Sequence, residues 1–341
     1  MTLLLLCGTL ILILISAETF TNALEHLGER LKLSEGVTGS IFAAVGTAMP
    51  ETMVPVVAIL STAGTQAVRE EVGVGAILGA PLMLATIAMF LMGLTASMRR
   101  GWNGKFHAER TGLRRDLGWF LVAFGLSAGA VFVPHDGMLV RAVIALVLIG
   151  LYFLYLLVTI RASAKLVADG HGTEAGRPLY LMRAFGRFGV RNNLATQLLQ
   201  LALGLVGIVA GAHGFVYGVE NLSEYLGVSA LVLSLLIIPL ATELPEKVNS
   251  ILWIRRGKDT LAFGNVTGAM VFQGSLLPAL GILLTPWEAR GEVVAVLALT
   301  LIAGAWVLLM SHKGALRPYH LIFNGLCYVA YGVYVAVFRS F

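Results

Sequence analysis

Charge is scarce in this sequence. Only 13% of its 341 residues are Asp, Glu, Lys or Arg, where a soluble domain carries about 25%. Too little polar surface remains to cover a folded chain of this size in water. The shortage weighs against a soluble enzyme, a nucleic-acid binder and a disordered chain alike. Cysteine is nearly absent: Cys7 and Cys327 stand in apolar runs near opposite ends, which leaves no disulfide framework and no CxxC metal site. There is no HExxH and no catalytic pair of histidines, so the sequence points away from an enzyme. His26, His107, His135, His171, His312 and His320 fall in or near polar segments without metal-ligand spacing.

Apolar residues make up the remainder. They are 57% of the chain, and the mean hydropathy is +0.84. About 20 residues span a bilayer as a helix, and charge-poor stretches of that kind recur. They predict spans near 1–19, 36–66, 72–97, 117–134, 139–160, 193–218, 226–254, 259–285, 292–311 and 318–338. The uncharged first 17 residues lack the basic start of a signal peptide and are read as the first span. Ten spans place nineteen Lys and Arg in loops on one side and four on the other. The rich side is cytoplasmic by the positive-inside rule, and both termini then face out. The basic loops near 98–116 and 161–192 read as orientation signals that meet anionic lipid. Five Trp, mostly near span ends, read as interfacial anchors.

The chain repeats itself. Residues 195 positions apart coincide, among them Glu25 and Glu220, Thr47 and Thr242, Pro50 and Pro245, and Glu51 and Glu246. Thr-x-x-Pro-Glu thus occurs twice inside apolar spans. Further on the offset becomes 189, pairing Gly75 with Gly264 and Gly79 with Gly268. The copies are five spans apart, an odd number, so they are inverted with respect to the membrane. The expected architecture is an all-α membrane protein of ten transmembrane helices in two inverted five-helix repeats, 1–160 and 193–341, joined by a basic cytoplasmic linker, 161–192. Inverted repeats with interrupted helices at the midplane are a design of secondary transporters.

A carboxylate at mid-membrane is a functional hypothesis by default. The pseudo-twofold axis brings Glu51 and Glu246 together, and two such carboxylates repel unless a cation or a proton lies between them. Oxygen ligands suit hard cations such as calcium or sodium. Pro50 and Pro245 remove backbone donors and loosen the helices, which exposes carbonyls at Thr47 and Thr242. Glycines 46, 75, 79, 264 and 268 permit close helix packing.

These motifs resemble those of the sodium/calcium exchanger (cation/calcium antiporter) superfamily, whose two α-repeats each carry Gly-Thr-Ser-x-Pro-Glu followed by Gly-Asn-x-x-Gly-Ser-Asn-x-x-Asn. Here the first copy reads Gly46-Thr47-Ala48-Met49-Pro50-Glu51, then Gly75 to Leu84. The second reads Ala241-Thr242-Glu243-Leu244-Pro245-Glu246, then Gly264 to Gln273. The resemblance implies that Glu51 and Glu246 are central cation ligands, and that Thr47 and Thr242 lend backbone carbonyls. It implies that Gln273 offers a side-chain oxygen where Leu84 cannot, and that Asn265 keeps a motif position whose partner is Ala76. Family serines are replaced at Ala48, Ala80 and Ala269, and by Glu243. The first half therefore keeps few side-chain oxygens besides Glu51 and the Thr47 hydroxyl, which implies fewer or weaker sodium sites. Spans 1 and 6 would be the sliding gates.

Glu243 and Lys247 admit three readings. At i,i+4 on a helix they can form an ion pair; the Lys247 ammonium can stand in for a lost sodium ion as a tethered cation; or Glu243 can join the site as a third carboxylate. Glu18 aligns with His213, either as a boundary residue or as part of a proton relay.

The expected activity is secondary cation antiport of the sodium/calcium exchanger type, by alternating access around a two-glutamate site. The alternatives are proton-coupled cation exchange and a non-transporting relative. No cofactor is expected beyond the transported ions, calcium with sodium or protons. The expected partners are inorganic cations and the lipid bilayer, with no nucleic acid, in a monomer or weak homo-oligomer. The expected location is a bacterial or archaeal cytoplasmic membrane.

Overall fold

The structure is a computed structural model that describes residues 2–30, 49–60, 65–134, 136–167, 178–189 and 191–338. Among them there is no strand. The helices in chain order are α1 (Thr2–Arg30), α2 (Met49–Leu60), α3 (Gln66–Arg100), α4 (Arg110–Ala130), α5 (Met138–Val167) and the short α6 (Tyr180–Phe185). They continue with α7 (Leu194–Leu226), α8 (Ala230–Thr242), α9 (Leu244–Arg255), α10 (Asp259–Gln273), α11 (Leu276–Leu284), α12 (Gly291–Lys313) and α13 (Ile322–Phe338). Six stretches of this chain are long and apolar enough to cross a membrane: Gln66–Arg100, Met138–Thr159, Leu194–Leu226, Asp259–Leu284, Gly291–Lys313 and Pro318–Val337. Large apolar side chains stand outward on α5, α7 and α13, among them Leu146, Phe153, Val206 and Val333. Such a surface is a liability in water and a match for lipid. The chain is an integral, multi-pass membrane protein.

Two helix pairs are packed closely through glycine. α1 lies along α7, and the reason is a row of glycines on α7. A β-carbon at Gly204 would meet Phe20, one at Gly211 would meet Ile13 and one at Gly218 would meet Leu6, each within 2.8 Å. Without strong hydrophobic drive between helices in lipid, small residues let backbones close to van der Waals contact. α3 packs on α8 in the same way. A β-carbon at Gly75 would lie 2.7 Å from the Leu231 carbonyl oxygen, and one at Gly79 would lie 2.5 Å from that of Leu235. α2 rests on α3 and α7; α4 packs on α10 and α12, and α5 on α11.

The helices are irregular at several places. The expected span 226–254 is divided into α8 and α9, with Glu243 between them out of helical conformation. Pro245 lies in the first turn of α9, where a missing N–H removes no helical bond. The expected span 259–285 is also divided, at Gly274 and Ser275, with Pro278 in the first turn of α11. That break was not expected from the sequence. Nor did it predict that α3 passes through a π-helical turn, Leu84–Ala88. There the carbonyl of Ala85 accepts a hydrogen bond from Asn324 Nδ2 of α13 at 2.7 Å. Of the expected span 36–66, the segments 36–48 and 61–64 lie outside the described residues, as do 168–177 and position 190 of the expected linker.

Candidate functional site

Three carboxylates meet where α2 and the α8–α9 junction approach. Glu51 is in the first turn of α2 and Glu246 in the first turn of α9. Glu243 occupies the junction itself, with φ −82° and ψ 7°. All three are buried; Glu243 is 0% exposed. One carboxylate oxygen from each lies within 4.8 Å of the other two. Gln273, the last residue of α10, donates from Nε2 to Glu243 Oε1 at 2.7 Å. Both oxygens of Glu51, Oε2 of Glu243, Oε2 of Glu246 and Oε1 of Gln273 are buried and accept no hydrogen bond among the described residues.

Buried polar atoms are nearly always satisfied, and an acceptor left bare in a dry interior carries a penalty of about 1–3 kcal/mol or more if charged. Five such oxygens on the four side chains of this group, with no donor among the described residues to meet them, make a cluster that a hard cation or protons would complete. The size fits a cation. Three atoms within 4.8 Å of one another leave a point no more than about 2.8 Å from all three. Calcium takes oxygen at about 2.3–2.6 Å and magnesium at about 2.0–2.1 Å. At that upper bound a movement of a few tenths of an ångström closes the cluster on calcium, and about twice that closes it on magnesium.

The other expected site residues are placed as follows. Thr242 is buried, and its hydroxyl donates to the Ile238 carbonyl at 3.2 Å on its own helix. Asn265 does not reach the carboxylates through its amide nitrogen. Nδ2 donates to the backbone carbonyl of Glu246 at 3.3 Å and to Ser250 Oγ at 3.2 Å, which ties α10 to the helix that carries Glu246. Lys247 Nζ donates to the carbonyls of Leu240, 3.0 Å, and Pro239, 3.3 Å. It makes no ion pair within 4.0 Å with a carboxylate among the described residues. Thr47 lies outside the described residues, and Pro50 and Pro245 are helical in backbone. Glu18 is exposed and accepts from the Tyr180 hydroxyl at 2.7 Å, while His213 Nδ1 meets the Val209 carbonyl at 2.9 Å, so the two do not join.

Several buried polar groups escaped the sequence reading. Asp116 of α4 accepts from Thr267 Oγ1 at 3.0 Å and from Arg115 at 3.1 Å. Its place beside Arg114 and Arg115 makes it look like one more loop charge. Asp259 accepts two bonds of 2.6 Å from Arg100, a fork-to-fork pair, and one from the His107 backbone N–H. Arg141 is 1% exposed and donates to the Ile282, Thr285 and Pro286 carbonyls around the end of α11. A charge in the first turns of an apolar run was its only sequence signal.

This arrangement, a helical membrane protein with a carboxylate cluster between interrupted helices, has relatives. Residues 1–161 and 196–339 match the family described as sodium/calcium exchanger protein, and the chain belongs to that family of cation/calcium antiporters. It is 26% identical over 279 residues to the inner membrane protein YrbG of Escherichia coli (strain K12), covering 82% of this chain and 78% of that protein. It is 27% identical over 278 residues to the putative antiporter CaxA of Alkalimonas amylolytica, covering 80% and 77%. Among solved structures, the H+/Ca2+ exchanger CAX superposes with a TM-score of 0.68 at 14% identity, covering 98% of this chain and 86% of that one. The sodium-calcium exchanger NCX_Mj gives 0.54 at 20% identity, covering 96% and 97%. At these identities the structures establish the shared fold.

Proposed function

We propose that this chain is a secondary antiporter for a divalent cation of the calcium class, bound between Glu51, Glu243 and Glu246 with the Gln273 oxygen in support. The observation that carries this reading is the cluster of buried, unpartnered carboxylate oxygens at a spacing near that of calcium ligands. Glu243 widens the expected two-glutamate site to three. Counter-transport needs a second ion. Three carboxylates against one nearby ammonium leave a net charge of minus two, which one divalent cation or two protons would cancel. Two sodium ions would balance the charge equally, so the preference rests on the ligands: four of the five bare oxygens are carboxylate oxygens, which take protons, and protons are the counter-ion we favour. Sodium is the second reading; the bare Gln273 oxygen favours it, because a neutral oxygen suits a monovalent ion.

Two five-helix halves in inverted topology are part of the same proposal. The irregularities support it. The π turn of α3 at Leu84–Ala88 and the break after Gln273 fall at equivalent positions of the two copies. Glu51 and Glu246, equivalent in sequence, share one cluster. The rocking of one half against the other would open the cluster to each face in turn, with the Arg- and Lys-rich loops in the cytoplasm of a bacterial or archaeal cell.

Calcium-45 uptake into proteoliposomes under a pH gradient, beside a sodium gradient and a Glu51→Gln/Glu246→Gln double variant, tests the reading. Uptake driven by the pH gradient and lost in the variant is expected. Uptake that needs sodium selects the second reading. No uptake of any divalent cation under either gradient overturns both.

A further inference from the structure

Lys247 is left over by that reading. It is 5% exposed, and a buried ammonium is costly unless paired. The nearest sequence partner is Glu243, four residues back, yet two of its donors go to the Leu240 and Pro239 carbonyls. Those carbonyls end α8. Helical conformation stops at Glu243, and Pro245 has no N–H to return to Ala241. The Glu243 N–H still reaches the Pro239 carbonyl at 3.2 Å, so the ammonium shares that acceptor. The end of a helix is the negative pole of its dipole and attracts a cation. Glu243 and Glu246 act on the same ammonium through space, without an ion pair. Main-chain carbonyls at a proline-broken helix, within the field of two carboxylates, form a receptor for a monovalent cation, and the lysine fills it from the adjoining helix.

We infer that the Lys247 ammonium is a built-in monovalent cation, occupying permanently a carbonyl-lined position beside the carboxylate cluster and so excluding sodium from it. This rests on reading the three carboxylates as the transport site. Lys247 then sets ion specificity rather than binding the transported divalent cation, and its removal should create a sodium site.

The test uses the full-length protein purified in detergent, with sodium-22 binding and thermal unfolding measured in sodium chloride and in choline chloride of equal ionic strength. Lys247→Ala removes the charge and leaves room; Lys247→Met removes the charge and fills the room. The alanine variant is expected to bind one more sodium ion per chain than the unsubstituted protein and to unfold several degrees higher in sodium than in choline. The methionine variant is expected to show neither effect. An alanine variant without extra sodium, or one equally unstable in both salts, overturns the inference, as does a gain of equal size in the methionine variant. Calcium-45 binding by the same unsubstituted sample reports separately on the transport site, so failure of that reading is told apart from failure of this one.

Discussion

Glu243 decides between a site of two carboxylates and a site of three, and Glu243→Gln is the substitution that separates them. Glutamine keeps the volume and an oxygen that can still accept from Gln273 Nε2, now 2.7 Å from Glu243 Oε1. The local geometry is therefore retained while one of three negative charges is lost. Removing one partner of a buried ion pair costs about 3–5 kcal/mol, and with calcium bound each carboxylate is such a partner. An amide dipole still faces the ion, so the lower end applies. About 3 kcal/mol is roughly a hundredfold in Kd at 1.4 kcal/mol per decade. Equilibrium calcium-45 binding to the purified protein reads this directly, and the KM for uptake should move in parallel. Magnesium, which asks for a tighter cluster, should bind more weakly than calcium before and after. A calcium Kd within about threefold of the unsubstituted value would refute the three-carboxylate reasoning, because a change of under 1 kcal/mol is too small for a directly ligating charge.

Other expectations follow from the same geometry. Protons compete with calcium for these carboxylates, so calcium Kd should rise as pH falls, with a limiting slope of about two decades per pH unit if two protons are displaced; a flat profile from pH 8 to 6 would count against proton exchange. Asn324→Leu strips donors from the Ala85 and Ala303 carbonyls, each buried acceptor being worth about 1–3 kcal/mol, and should lower the thermal midpoint; an unchanged midpoint means the π turn needs no such support. Gly211→Val should destabilise by about 1–3 kcal/mol through overpacking, since even a β-carbon there would lie 2.7 Å from Ile13 Cγ1. Gly125→Val, where nothing beyond its own helix backbone and chain neighbours lies within 4 Å of the added carbon, is the control. Equal losses in the two would remove α1–α7 contact as the cause.

The sequence made some of this legible because of where its constraints are written. Thr-x-x-Pro-Glu in two copies joined Glu51 to Glu246 across 195 residues, and hydropathy with loop charge identified a multi-pass membrane chain. For Glu243 the sequence left three readings open, the third carboxylate among them. Its i,i+4 relation to Lys247 is equally compatible with a pair on one helix and with a break between helices. Only the position of the break turns the lysine onto carbonyls and leaves the carboxylate beside Glu246. Asp116 and Asp259 were hidden for a related reason. Each stands next to a basic loop, and burial of such a residue depends on how neighbouring helices dock, not on its local pattern. The division after Gln273 combines Gly274 with Pro278, a spacing too common in membrane helices to single out.

The two halves contribute unequally to the cluster, and the inequality has a measurable consequence. Among the described residues, the first half supplies Glu51 alone, while its Leu84, Ala80 and Ala76 are buried and apolar. The second half supplies Glu243, Glu246 and Gln273, with Lys247 nearby. Glu51 is thus the one charged contact from the first half, and both its oxygens lack a donor. On the proposed reading, Glu51 adds repulsion when the cluster is empty and ties α2 to α9 when it holds a cation. Glu51→Gln should therefore raise stability in chelator and lower the stabilisation by calcium. At calcium a hundredfold above Kd, the unsubstituted protein gains about 2.7 kcal/mol. A variant whose Kd is roughly a hundredfold weaker gains only about 0.4 kcal/mol at the same concentration. Thermal midpoints of the two proteins should cross as calcium is added, the variant higher without it and lower with it. A variant less stable in chelator as well would show that Glu51 supports the fold by other contacts and that its carboxylate is not held for an ion.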